Sequence, residues 1–389
     1  MACKIRQNEN NFLRWERFYG DYTILELQAG GIPINCDPAD LAPPTTLTAT
    51  LNGTTQIDLA WNDNSFDETG FEIYRSTVNG FTPSAATLIN TTNADITTYN
   101  DTGLAVNTFY YLVRALNANG FSDYSNQATA TTLNIDITCS VYVDSEDISA
   151  EETSPRGVLV TPDGLKMFIT GTQVREYDLS VANDITSSTL AASYNPTFSS
   201  DDIEFNPDGT KMYLMTAFDN TLYEYDLDTG YDLTDTITLN QSVSFTTDFN
   251  SVASSLKGCR FSPDGLKMFL CGSQAAAPFN VIEYTLSISF DISSTTKINE
   301  FKLVETTSLF ITRDGFQLFV LTNNVGSDLV YQYDLSTAFD MSTKGIASTF
   351  NVGTQDVAPQ GLYFSHDYAK MYMIGGTNDS VYQYTTICS

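Results

Sequence analysis

An all-β chain is the fold class this sequence predicts, and three observations predict it. A Pro-Asp-Gly turn phrase keeps returning after residue 157. Each copy sits between short apolar runs rich in β-branched and aromatic residues. The stretch before the first copy alternates apolar and polar residues with period two.

The opening segment, 1–41, fits neither of the later patterns. It holds Lys4, Arg6, Arg14 and Arg17 against Glu9 and Glu16, an aromatic cluster at Trp15, Phe18 and Tyr19, and a short strand candidate at Thr23–Leu27. A segment this small cannot bury its own core, so its aromatics need cover from elsewhere. Aromatic and arginine side chains carry much interface energy, which makes Arg14, Trp15, Arg17, Phe18 and Tyr19 the expected docking residues.

Residues 42–133 read as a sandwich. Thr46–Leu51 and Gln56–Trp61 alternate around Asn52-Gly53, a hairpin signal. Further strands are expected at Gly70–Ser76, Ala86–Ile89, Thr97–Tyr99, Phe109–Ala115 and Ala128–Thr131, giving seven short strands and a two-sheet sandwich. The runs Leu59-Ala60-Trp61-Asn62-Asp63-Asn64-Ser65, Glu68–Ser76 and Tyr111–Asn117 resemble a fibronectin type III domain of the bacterial and phage kind. That resemblance implies a spacer or adhesive role and no chemistry.

Residues 134–389 carry the repeat. It reads Thr161-Pro162-Asp163-Gly164-Leu165-Lys166-Met167-Phe168, then again at Asn206–Tyr213 and Ser262–Phe269, with decayed copies at Thr312-Arg313-Asp314-Gly315 and Ser365-His366-Asp367-Tyr368. Each copy is followed by a run ending in Glu-Tyr or Gln-Tyr: Tyr177, Tyr225, Tyr284, Tyr333 and Tyr384. Proline presets one φ of the turn and glycine accepts the positive one. The turn aspartates at 163, 208, 264, 314 and 367 are spaced as β-propeller blades are, so five blades are expected. The fifth blade runs out before its outer strand. Cys139–Asp144 is the spare strand, and it is expected to pair with Ser380–Tyr384 and close the ring. The blades resemble the broad propeller group with Ser-Pro-Asp-Gly-x-Lys-Met-aromatic signatures, in the style of WD40 and lactonase-like propellers. That group includes lectins, enzymes and virion or surface proteins.

Composition excludes several partners. Lys and Arg number 18 against 47 Asp and Glu, a formal charge of −29, which repels a nucleic-acid backbone. No apolar run reaches the roughly 18 residues of a membrane helix, and the first ten residues lack the apolar stretch of a secretory signal, so export by that route is not expected. The six cysteines allow two readings. Cys259 with Cys271 across a turn, Cys139 with Cys388 at the ends of the repeat region, and Cys3 with Cys36 could be disulfides, or all could be buried free thiols.

Candidate sites follow from the propeller geometry. The loops after each second strand should ring one channel mouth: Thr172, Gln173, Phe218, Asp219, Asn220, Phe279, Asn280, Asn323, Asn324, Asn378 and Asp379. Amides and carboxylates beside aromatics suit sugar hydroxyls and faces, while the same residues also serve as turn formers. Along the innermost strands the equivalent positions are Leu159, Glu204, Arg260, Phe310 and Tyr363. Only one is acidic, and a Glu204–Arg260 ion pair is expected rather than the paired carboxylates of a glycosidase. The sole histidine, His366, sits in a turn, so no Ser/His/Asp triad is expected elsewhere and no enzymatic role is expected. Asp226–Gly230 resembles the start of a calcium loop, but its twelfth position is Ile237. No cofactor is expected, with calcium the one candidate.

The expectation is therefore a virion component, such as a phage fibre, decoration or receptor-binding protein. Its head, 1–41, would attach to other virion or tail proteins in a larger assembly, and its propeller would face a host surface or glycan. A carbohydrate-active enzyme and an extracellular or cell-surface adhesin are the alternatives.

Overall fold

The computed structural model describes residues 41–386 apart from 53, 66, 105–106, 133–134, 250–254, 274–278, 304–305 and 324–327. Of Ala2–Gln7, Leu13–Phe18 and residues 273, 279, 280 and 303 the backbone alone is described. The chain divides into two compact units, Met1–Thr132 and Leu133–Ser389. Among the described residues no helix is long and apolar enough to cross a membrane.

In the first unit Ala2–Gln7 and Leu13–Phe18 pair as an antiparallel hairpin, with Ile5 opposite Trp15 and Cys3 opposite Arg17. The sequence reading did not anticipate this hairpin. Tyr19, Cys36 and the strand candidate at 23–27 lie outside the described residues. After them come two packed sheets. One joins Thr45–Asn52, Gln56–Asn62 and Thr98–Asp101; the other joins Ala128–Thr131, Thr108–Asn117, Gly70–Ser76 and Leu88–Thr91, with Gly120–Phe121 added beside Thr108–Asn117. Period-two alternation does the sorting. Phe109, Tyr111, Val113 and Ala115 point inward from one strand and meet Ile57, Leu59 and Trp61 from the facing sheet. Each such fully buried side chain stabilises by roughly 1.5–3 kcal/mol relative to exposure. The one hydroxyl carried into this core, on Tyr111, donates to Asp101 at 2.8 Å, and Arg75 holds the same carboxylate.

The second unit is all-β and propeller-like, built from five four-stranded antiparallel sheets among the described residues. Their innermost strands are Val158–Val160, Asp202–Phe205, Ser255–Phe261, Thr306–Ile311 and Pro359–Phe364. Each contacts the next and the last contacts the first, so they form a ring. The fifth sheet takes its outer strand from the other end of the unit. Val141–Asp147 pairs with Ser380–Thr385, Tyr142 opposite Tyr384, with a bulge after Tyr142. This is the pairing expected from the missing strand, and it covers the edge of Ser380–Thr385 and gives the fifth sheet the four strands of the others.

Two repeated devices explain the repeated letters. The first is in the turn, where Gly164, Gly209, Gly265 and Gly315 take φ between +67° and +75°. At Gly209 the ring of Tyr231 lies so close that an added Cβ would sit 2.3 Å from it, so only glycine fits. In the fifth copy Tyr368 takes the glycine's place at φ 57° and buries its ring against the core.

The second device is the acidic or amide residue before three of the closing tyrosines. Buried Glu176 pairs with Lys166 of its own sheet and accepts from Leu233 N–H of the next at 2.7 Å. Glu283 pairs with Lys267 and accepts from Met341 N–H at 3.2 Å. Gln332 plays the same part, accepting from Ile137 N–H at 3.0 Å. Each is a charge or amide buried with its partners supplied, and it ties one sheet to its neighbour.

One cysteine pairing is corrected. Cys259 and Cys271 are free and buried. The hairpin is centred between Asp264 and Gly265 rather than on Gly265, so Cys259 faces Leu270 and Cys271 faces Gly258. That single-residue slip sends the two thiols to opposite faces, into different core clusters. Cys139 is engaged in a disulfide. Cys388, its expected partner, lies outside the described residues.

Candidate functional site

The five innermost strands bring their equivalent positions to one place. Leu159, Glu204, Arg260, Phe310 and Tyr363 all line a single cavity of about 110 Å³ on the ring's axis. Its mouth opens on the face of the Pro-Asp-Gly turns, where Pro162, Pro207, Pro263 and His366 form the rim with Arg313 and Tyr231.

Arg260 is the centre of this site. Its guanidinium is almost wholly buried and donates to Asp202 Oδ2 at 2.7 Å, to Cys259 O at 2.6 Å and, across the ring, to Leu362 O at 3.0 Å. Its Nε lies 3.4 Å from Glu204 Oε2, and its plane stands 5.3 Å from the Tyr363 ring centroid. Burial opposes its charge, but Asp202 and Glu204 outweigh burial and keep it protonated. The expected Glu204–Arg260 pair is thus present, though Asp202 is the tighter partner.

Glu204 is the unusual group. Its side chain is 12% exposed, in the cavity wall. Its Oε1 accepts from Phe205 N–H at 3.1 Å. Desolvation pushes its carboxyl up to about 7, against the opposing pull of Arg260, with Asp202 adding to the rise. Asp202 is raised too, chiefly by desolvation, and its Oδ1 is buried without a hydrogen-bond partner among the described residues. Burial carries the Tyr363 hydroxyl well above the usual range. At the rim Arg313 lies 2.7 Å from His366 Nδ1; partial burial and that guanidinium hold the imidazole below its usual value. A carboxyl that is half ionised at neutral pH, beside a fixed cation and in a cavity open at one end, can accept and return a proton.

The opposite mouth is arranged differently. Thr172 and Gln173 turn their backbone N–H groups to Glu152, and Thr172 adds its hydroxyl at 2.7 Å. Asn220 is buried at φ 56°, donating to Phe249 O and accepting from Leu256 N–H at 2.8 Å. Asn378 N–H donates to Asp356 at 3.0 Å, and its side-chain amide reaches Gln355 O and Tyr382 Oη. Asp379 takes φ 45°. These residues hold their own loops.

Phe218 is the exception, 97% exposed beside Asp219, whose carboxylate is 3.5 Å from Tyr223 Oη. Phe279 and Asn280 begin the strand Phe279–Leu286 rather than standing in a loop, and their side chains are not described. Asn323 is partly buried next to the strand Gln317–Thr322, and Asn324 lies outside the described residues. Of the docking residues, Arg14, Trp15, Arg17 and Phe18 lie on the second hairpin strand.

Several working residues were missed. Asp202 stands two positions before Glu204, on the strand already singled out. Asp201 next to it gathers Arg156 at 2.7 Å and Lys257 at 2.9 Å and accepts from Ala217 N–H. Glu152, Asp201 and Asp356 each brace the loop after a second strand. Glu152 and Asp356 stand at the same spacing before their turn aspartates, a signal that was readable.

No family model matches this chain, and no curated protein matches it. Among solved structures it is similar to a hydrazine synthase of Kuenenia stuttgartiensis, at 14% identity over 60% of this chain and 58% of that one, TM-score 0.36. The chain thus spans less than two thirds of that protein. A candidate 6-phosphogluconolactonase from Bacteroides fragilis matches at 14% identity over 78% of this chain and 84% of that one, TM-score 0.35. An Fn3-like protein from Clostridium thermocellum matches at 31% identity over 23% of this chain and 88% of that one, TM-score 0.20. Scores this low carry no functional argument of their own. The expectation of no enzymatic role is corrected on the site itself, where Glu204, raised by desolvation, stands in the wall of an open cavity beside a fixed guanidinium, an arrangement suited to chemistry.

Proposed function

We propose that the second unit is a five-bladed propeller whose turn-side axial cavity is a hydrolytic site for a small acyl compound, an ester or lactone. The first unit is then a fibronectin type III-like module that carries or spaces it. The observation that supports this reading is Glu204, a carboxyl near 7 in the wall of a cavity that also presents Arg260.

The ionised Glu204 takes a proton from a water molecule. The resulting hydroxide forms a bond to the acyl carbon, and the carbonyl electron pair moves to oxygen. Arg260, held by Asp202 and Leu362 O, and Arg313 at the rim supply positive charge for that oxyanion. Its collapse breaks the acyl–oxygen bond, and the protonated Glu204 returns its proton to the departing alkoxide. Phe310, Leu159 and Tyr363 make the walls and limit water, which strengthens each of these interactions.

A panel of small esters and lactones tests this, with kcat/KM followed against pH. Turnover should rise through an inflection near 7 and fall by about a hundredfold or more in Glu204→Gln, the usual size of a general-base contribution. Absence of turnover across the panel, or a Glu204→Gln variant as active as the parent, would overturn it.

A second reading has Phe218 on its side. An aromatic 97% exposed at a loop tip on the opposite mouth, next to Asp219, suits the face of a sugar, as in contact with a host glycan by a virion protein. Glycan-array binding that is lost in Phe218→Ala but kept in Glu204→Gln would support it.

A further inference from the structure

In the first unit three carboxylates converge where two loops meet. Asp63 and Glu68 come from the loop after Gln56–Asn62, and Asp95 from the loop before Thr98–Asp101. One oxygen of each lies within 4.8 Å of the others. Glu68 is only 8% exposed, and its Oε2 has no hydrogen-bond partner among the described residues. A buried carboxylate that keeps one oxygen unpaired and meets two more carboxylates is costly unless something positive completes it.

Among the described side chains of this unit, none is left to supply that charge. Between residues 41 and 132 there is no lysine or histidine, and the only two arginines are Arg75 and Arg114. Arg75 is held by Asp101 at 2.8 Å and Arg114 by Glu72 at 2.7 Å.

We propose that Asp63, Glu68 and Asp95 bind one calcium ion that ties these two loops of the sandwich together. The three oxygens are close enough to gather on one cation, and an all-carboxylate set carried on two loops suits the variable oxygen shell of calcium, at about 2.4 Å, better than the strict octahedron of magnesium, at about 2.1 Å. Water and loop carbonyls would complete the shell. This site is separate from the axial cavity, and its failure would leave the hydrolytic reading untouched.

Isothermal titration of calcium chloride into the full chain, in about 150 mM sodium chloride to screen the general acidity, is the test. One calcium should bind per chain, magnesium at equal concentration should not replace it, and Asp95→Asn should weaken binding at least tenfold. Glu68→Gln should abolish it, while its melting temperature in EDTA stays equal to or above that of the parent, showing that the fold survives. If Glu68→Gln does not fold, Asp63→Asn takes its place, with the same loss expected. No saturable binding, or binding unchanged in Glu68→Gln or Asp63→Asn, would overturn the proposal.

Discussion

Two regions of this molecule gather carboxylates around a buried one, and they neutralise them in opposite ways. On the propeller axis Asp202 and Glu204 share one buried arginine, which is itself fixed by two backbone carbonyls. In the sandwich Asp63, Glu68 and Asp95 meet, and both arginines of residues 41–132 are held by other acids. The first arrangement is complete within the chain and leaves a single carboxyl poised near neutrality. The second is incomplete among the described residues, and that incompleteness points outward to a cation.

The comparison can be broken most forcefully at Arg260. Arg260→Met would turn the axis into a second cluster of unpaired acids and should cost about 3–5 kcal/mol in urea unfolding at pH 8. The deficit should shrink as pH falls and Asp202 and Glu204 take up protons.

Glu204→Gln should do the reverse. A carboxyl whose folded value is about 7 against 4.5 unfolded binds its proton more tightly in the fold. Its contribution is full below about pH 4.5 and is lost as pH rises through 7, a difference on the order of 3 kcal/mol. The parent should therefore lose more stability across that window than Glu204→Gln, as thermal melts at pH 5 and pH 8 would show.

A smaller loss is expected from Glu176→Ala, about 1–3 kcal/mol, because Lys166 and Leu233 N–H lose their shared acceptor between two sheets. Smallest of all, Asp95→Asn without calcium should gain under about 1 kcal/mol at low salt and nothing at 1 M salt. One repulsion disappears there, and asparagine tolerates the φ of 62° at this position.

Repeats were the legible part of this chain. Aligning the turn aspartates was enough to name the five axial residues, and the spare strand at 141 was enough to foresee the closing pair. What spacing could not give was depth. Glu204 and Arg260 were readable as neighbours, but the desolvation that lifts Glu204 comes from Phe310, Tyr363 and Leu159 on other sheets, brought there only by the ring.

The opposite mouth was overvalued for a related reason. Asn220 and Asn378 look like ligand groups in one dimension, yet in three they spend their hydrogen bonds on local backbone and on acids such as Asp356. The cysteine slip has a simpler cause. Counting outward from Gly265 assumes an odd turn, and a hairpin centred between two residues shifts every facing pair by one.

The seam between Val141–Asp147 and Ser380–Thr385 also sets an order of events during synthesis. The earlier strand leaves the ribosome long before its partner exists, and must wait with its hydrogen-bonding edge unmatched while four other sheets assemble. The ring can be fastened only after Ser380–Thr385 has been made, so a stop ahead of that strand would release an open, adhesive fragment rather than a smaller working protein.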